Sequence, residues 1–245
     1  MEMVRLDAVP ALAAILRSGG SIAQEQAAAA VASVTELVEN QNPVLKANAV
    51  PALVQLLKNG TLEAQVSASR AIGNLATRNT LAQEQVYATG GVKKLLSLLS
   101  SGKPQEHAAR AVARLAAQNA SVQAEVCKEG GIAALLALLS GIEWRAQTQA
   151  AAALAELAQG ANGKSRRKTQ DAVAKAGGIG PLLQLVESRY AQCAAEAVHA
   201  IAQVAKSNRA NQVSLTALSG GCTNLRHWIA ARLSTRHPQC DCTCV

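Results

Sequence analysis

One motif recurs along the whole chain. AVPALAAIL from Ala8 returns as AVPALVQLL from Ala49, GVKKLLSLL from Gly91, GIAALLALL from Gly131 and GIGPLLQLV from Gly178, with a weaker copy, GCTNLRHWI, from Gly221. Taking Val9, Val50, Val92, Ile132, Ile179 and Cys222 as equivalent, the steps are 41, 42, 40, 47 and 43 residues. A period of this length constrains the fold more tightly than any composition. A unit of ~40 residues cannot bury its own apolar face, so copies must stack and share one continuous core. The spacing predicts units at about 1–39, 40–78, 79–118, 119–160, 161–207 and a partial one at 208–234, followed by a Cys-rich tail at 235–245.

Each unit reads as helical. A second motif follows the first: AVASVTELV from Ala30, SRAIGNLAT from Ser69, ARAVARLAA from Ala109, AAALAELAQ from Ala151 and VHAIAQVAK from Val198. Apolar residues recur three and four apart, as in Ala68, Ile72, Leu75 and Ala76, which gives one buried helical stripe rather than strand alternation. Composition agrees. Hydrophobic residues make up 49% of the chain, aromatics only 2%, and Phe is absent, so the core is built from Ala, Leu, Val and Ile. Ala and Leu are the strongest apolar helix formers.

A shorter helix precedes each copy of the first motif: AQEQVYAT from Ala82, VQAEVCKE from Val122, TQDAVAKA from Thr169 and NQVSLTAL from Asn211. These run into Gly90-Gly91, Gly130-Gly131, Gly177-Gly178 and Gly220-Gly221. Gly at a helix end suits a left-handed turn. Asp7 and Asn48 replace the first Gly in the first two units, and these residue types best tolerate that conformation after Gly. The expected unit is a short helix, a sharp turn and two longer antiparallel helices.

Period, Gly pair, LLxLL helix and Leu-Ala helix recur in phase, and together they resemble the armadillo-repeat family over nearly the whole chain. The resemblance implies an all-α fold: a right-handed superhelical solenoid of about five complete repeats and a partial sixth. It also implies that the third helices line a concave groove along which an extended peptide runs. The position before Leu-Ala in those helices holds Glu36, Asn74, Arg114, Glu156 and Gln203. One turn earlier stand Ala32, Arg70, Arg110, Ala152 and His199, and one turn later Asn40, Arg78, Gln118, Gly160 and Ser207. Positions four apart share a helix face, so each set of three is expected to point into the groove.

Import adaptors of this family use repeated Asn, which fixes the peptide backbone, and Trp, which grips Lys stems. Only Asn74 matches here, and no Trp occupies the earlier position. The residues Arg70, Asn74, Arg78, Arg110, Arg114 and Gln118 instead resemble the basic groove of the β-catenin type, which implies an acidic extended partner. The expected function is a non-catalytic interaction scaffold. Two other readings stand beside it: a membrane-associated scaffold lipid-anchored at its C-terminal cysteines, and the substrate-binding arm of a larger ubiquitin ligase.

No catalytic constellation is present: there is no phosphate loop, no His-Glu-x-x-His helix and no Gly-x-Ser-x-Gly elbow. No cofactor is implied. His237, Cys240, Cys242 and Cys244 are too cramped for an ordinary zinc site, so no metal is assigned and the tail is expected to be disordered. The net charge of +8 admits an acidic partner or nucleic acid, but two Trp, two Tyr and no Phe leave almost no stacking surface for single strands. No apolar run approaches the ~20 residues of a spanning helix. The expected setting is cytoplasmic, extending to the nucleus.

Two smaller expectations complete the reading. The step of 47 places an insertion at ANGKSRRK, residues 161–168, expected as an exposed loop. Arg166, Arg167 and Lys168 before Thr169 fit a basophilic-kinase pattern, with the phosphate at the start of the following helix. The partial last unit lacks a third helix, so its apolar residues Leu225, Trp228 and Ile229 are expected to mediate self-association.

Overall fold

The computed structural model describes residues 8–218, and within them the secondary structure is helical. The first two helices, α1 (Ala8–Ser18) and α2 (Ser21–Val34), form an antiparallel pair. Four triplets follow. They are α3 (Gln41–Lys46), α4 (Val50–Asn59) and α5 (Leu62–Leu75); α6 (Thr80–Ala88), α7 (Gly91–Leu98) and α8 (Gln105–Ala116); α9 (Ala120–Lys128), α10 (Gly131–Leu139) and α11 (Trp144–Gln159); and α12 (Gly163–Lys175), α13 (Ile179–Val186) and α14 (Ala191–Ala205). A further helix, α15 (Arg209–Leu218), begins the next unit. A short 3-10 turn, Val38–Asn40, leads into α3. The proposed self-association residues Leu225, Trp228 and Ile229, and the Cys tail, lie outside the described residues, as does Asp7.

The Gly turns form as their sequence requires. Gly90, Gly130 and Gly177 hold φ of 70°, 73° and 75°, and Asn48 takes the same left-handed state at 54°. The second Gly has a different reason. A Cβ on Gly131 would stand 2.6 Å from Val126 Cγ1 and 2.8 Å from Leu96 Cδ2, so the bare backbone lets one triplet seat against the previous one.

The third helices α2, α5, α8, α11 and α14 pack in succession into one layer. Small residues allow the approach. Ala68, Ala71, Ala108, Ala111, Ala150 and Ala197 are wholly buried, and a Cβ built on Gly73 would already touch the Ala111 backbone at 3.4 Å. Second-helix leucines such as Leu53, Leu95, Leu135 and Leu182 fill the space behind that layer, each with no exposed surface. The result is one core running along the stack rather than one per unit.

A buried polar edge fixes how the triplets sit together. The last carbonyls of any helix lack intrahelical donors, and here Gln side chains on the first helices supply them. Gln41 Nε2 donates to Asn74 O at 2.9 Å. Gln83 Nε2 donates to Ala76 O of its own unit's predecessor and to Arg114 O and Ala117 O of the third helix that follows. Gln123 Nε2 donates to Ala116 O, and Gln170 Nε2 to Gln203 O and Lys206 O. The Asn residues that cap the first helices then donate to the Gln carbonyls: Asn79 to Gln41, Asn119 to Gln83 and Asn208 to Gln170. Each Asn also accepts from a backbone N–H of its own helix, so one side chain serves both tasks.

The insertion is not a loop. Asn162 accepts from Ser165 N at 2.8 Å and starts α12 at Gly163, so the added residues lengthen a first helix instead of bulging from the surface. The sequence ANGKSRRK suggests a loop because Gly and Asn cluster in it, but Asn there is a cap. The first helix exceeds the second here, at 13 residues against 8, and the expected order of a shorter first helix holds only for α3 and α4, at 6 and 10 residues.

Candidate functional site

The exposed face of the third helices carries the site. Arg110 and Arg114 are one turn apart on α8, Ala152 and Glu156 one turn apart on α11, and Glu196 and His199 lie on α14. Together with Arg78, Gln118 and Gln83 they line an open depression of about 860 Å³ spanning four repeats. Its floor includes Ala113, Ala117 and Ala152, whose small side chains leave backbone-deep room between the flanking polar residues.

The later position of each set reaches the groove by a different route from the one expected. Arg78, Gln118 and Ser207 do not extend the helix face. Each stands just past the helix end in the left-handed conformation, with φ of 55°, 55° and 56°. The turn reverses the chain so that the next residue, Asn79, Asn119 or Asn208, can cap the following helix. Arg78 and Gln118 still line the depression, because the turn projects them over its rim. In the fourth triplet the inserted residue alters this turn: Gly160 holds φ 63° and ψ 148°, and Asn162 rather than Ala161 makes the cap.

Asn74 departs further. It is only 6% exposed, and its Nδ2 donates to Ala32 O at 2.9 Å, across the seam to α2. The amide that the family resemblance assigns to a peptide backbone is here used between helices, and Asn74 does not line the depression. Arg70 is also engaged. Its Nη2 donates to Ser33 Oγ at 3.0 Å and lies 3.9 Å from Glu36 Oε1. By contrast Arg78, Arg110 and Arg114 have no ion-pair partner among the described residues.

The charge of the groove is divided. The arginines occupy the α5–α8 end, and Glu156, Glu196 and His199 the α11–α14 end. Burial raises the Glu156 pKa above the ordinary carboxylate value, Glu196 adds to the rise, and His199 and Arg114 oppose it. His199 Nε2 meets Gln203 Nε2 at 3.1 Å, and its Nδ1 lies 3.9 Å from Glu196 Oε2. Beside Arg110, burial lowers the pKa of His107, helped by Arg110 and Arg70 and opposed by Glu106.

Thr169 is buried in this fold and does not stand at a helix start. It stands mid-way along α12, 2% exposed, with Oγ1 donating to Ser165 O at 3.0 Å and facing Cys127 Sγ at 4.0 Å. A phosphate there has neither a helix start nor solvent access, because the lengthened helix carries Thr169 into the seam with α9. The basic residues before it are on the surface: Arg167 pairs with Asp171 at 3.5 Å, and Arg166 Nε donates to Gln159 O.

Helical triplets stacked through third-helix contact define an α-solenoid. Comparison with known proteins gives the particular class. Residues 38–77, which cover α3 to α5, match the Armadillo/beta-catenin-like repeat family. A crystal structure of an engineered protein superposes with a TM-score of 0.80 at 28% identity, covering 93% of this chain and 95% of that one. Computationally designed armadillo repeat proteins for modular peptide recognition match at TM-score 0.76 and 25% identity, over 87% of this chain and 89% of that one. A designed armadillo repeat protein in complex with peptide (KR)4 matches at TM-score 0.79 and 22% identity, covering 92% and 98%. No curated protein matches. The chain thus carries an armadillo-type repeat at residues 38–77 and shares its solenoid fold with designed armadillo repeat proteins.

Proposed function

We propose that this protein is a non-catalytic scaffold that holds an extended, acidic segment of a partner protein in the groove over α5, α8 and α11. The carrying observation is that Arg78, Arg110 and Arg114 converge on one open depression with no ion-pair partner among the described residues. An unpaired guanidinium is a ready bidentate donor to a carboxylate. Gln118 adds an amide at the same rim. The peptide-recognising designed relatives support the mode of binding. The (KR)4 peptide of another relative is opposite in charge, and the arginines here favour the reversed preference.

The third helices lie roughly 10 Å apart, and an extended chain advances about 3.3 Å per residue. Acidic residues in the partner should therefore recur about every third position. Each exposed pair contributes under ~1 kcal/mol, so micromolar affinity is expected, weakening as salt screens the pairs beyond ~8 Å at 0.15 M. The test is fluorescence anisotropy with a labelled peptide carrying Glu at every third position. The Arg110→Glu/Arg114→Glu variant should lose at least about tenfold in affinity, equivalent to ~1.4 kcal/mol, with unchanged helical circular dichroism. Equal binding by variant and parent, or preference for a Lys-rich peptide, contradicts the reading.

A further inference from the structure

The acidic half of the same groove has no part in that reading, yet its chemistry is specific. Glu156 is half-buried on α11 and has no ion-pair partner among the described residues, while Glu196 faces the same space from α14 with only His199 near it. One turn further along α14, Gln203 Oε1 is buried without a hydrogen-bond partner. Among the described residues Glu156 thus has no ion-pair partner, Glu196 has only the 3.9 Å contact with His199, and Gln203 Oε1, just outside the lining of the depression, has no donor. Arg114 is the nearest competing cation, and it influences Glu156 without reaching ion-pair distance. A uniformly acidic segment running the full groove would set its own carboxylates against Glu156 and Glu196.

We propose that the groove selects a segment of mixed charge: acidic side chains over Arg110 and Arg114, and one Lys or Arg seated between Glu156 and Glu196. This rests on the groove being a peptide site. The ammonium or guanidinium would supply the missing donor to Glu156, and the acidic end would satisfy the arginines, so each half of the groove meets its opposite charge. From α8 to the space between α11 and α14 is about one and a half helix spacings of roughly 10 Å. At about 3.3 Å per residue, the cation belongs about five residues from the acidic pair.

Three acetylated, amidated peptides test this by anisotropy. One carries two Glu three residues apart. The others add a single Lys about five residues away, on the C-terminal side in one and on the N-terminal side in the other. The parent protein should bind one of the Lys-bearing peptides about three- to tenfold tighter than the acidic-only peptide, a gain typical of one shielded ion pair. The order that wins gives the direction of the bound chain. In the Glu156→Gln/Glu196→Gln variant that advantage should vanish, while the acidic-only peptide binds at least as tightly as before. Circular dichroism confirms that the near-isosteric variant is folded. The proposal is overturned if the acidic-only peptide matches or beats both others on the parent, or if the advantage survives in the variant. If the parent binds none of the three peptides, the groove reading fails and this proposal with it. Acidic-only binding without a Lys advantage overturns this proposal alone.

Discussion

The third helices have two edges that use polar residues in opposite ways. At their C-terminal ends, carbonyls such as Asn74 O, Arg114 O, Gln203 O and Lys206 O are taken by buried Gln amides, and the capping Asn residues close the network. On the groove face, Arg78, Arg110, Arg114 and Glu156 have hydrogen-bonding capacity and no ion-pair partner among the described residues. One edge sets the geometry of the stack, and the other carries the unpaired charges of the proposed groove. The contrast explains how such a scaffold can vary its groove residues without losing its architecture: the network's Gln and capping Asn side chains belong to the first helices, whereas Arg110, Arg114 and Glu156 stand on the third.

The largest expected effect breaks the structural edge. Gln170→Leu strands Gln203 O and Lys206 O and removes an acceptor from Asn208. Unsatisfied buried groups cost about 1–3 kcal/mol each. The variant should lose about 3 kcal/mol, lowering Tm by on the order of 10 °C in thermal denaturation. A Tm within about 2 °C of the parent would mean that the Gln network is not what fixes the stack.

A smaller effect separates two junctions of that edge. Asn119 both caps α9 and donates to Gln83, whereas at the inserted junction Gln123 Oε1 receives Ala161 N and Ser165 Oγ instead, leaving Asn162 only its cap. Loss of a cap costs ~1 kcal/mol. Asn119→Ala should therefore destabilise more than Asn162→Ala, by up to about the ~1 kcal/mol of one further hydrogen bond. Urea melts of the two variants compare them directly, and equal midpoints would erase the distinction.

The groove edge predicts the reverse sign. Burial raises the Glu156 pKa, so between the ordinary value and the raised one the folded state keeps a proton that the unfolded state has lost. Stability therefore falls as pH rises through that window, and the ionised carboxylate opposes folding at neutral pH. Glu156→Gln should raise Tm slightly at pH 7, with the gain fading as the pH drops below the ordinary Glu value of ~4.3. An unchanged or lowered Tm at pH 7 would show that Glu156 already has sufficient compensation.

Much of the stack is legible in the sequence because its constraints are local. Gly90, Gly130, Gly177 and Asn48 each mark a left-handed turn that few residue types adopt, and the apolar stripes of the second and third helices follow a helical period. Arg110 and Arg114 were reachable in the same way, being four apart on one helix. What the period could not convey was where each helix stops. Arg78 and Gln118 continue the spacing on paper but lie past the helix end, and Thr169 is buried only because Asn162 starts its helix early. Asn74 shows a further limit, since its partner Ala32 O belongs to another repeat. The Gln network did leave a signal. Asn79 and Gln83, Asn119 and Gln123, and Asn208 and Gln212 share one spacing. That regularity identifies cap and carbonyl donor once the neighbouring helix ends are in view.

The most direct test of the groove as the binding surface is chemical-shift mapping of alanine methyls during titration with the acidic peptide. Ala113, Ala117 and Ala152 line the depression, whereas Ala133 and Ala137 are exposed on α10, which contributes nothing to it. The account predicts saturable shifts at the first three with the last two unmoved, and loss of those shifts in Arg110→Glu/Arg114→Glu. Shifts centred on Ala133 and Ala137, with Ala113 and Ala152 unchanged, would contradict it.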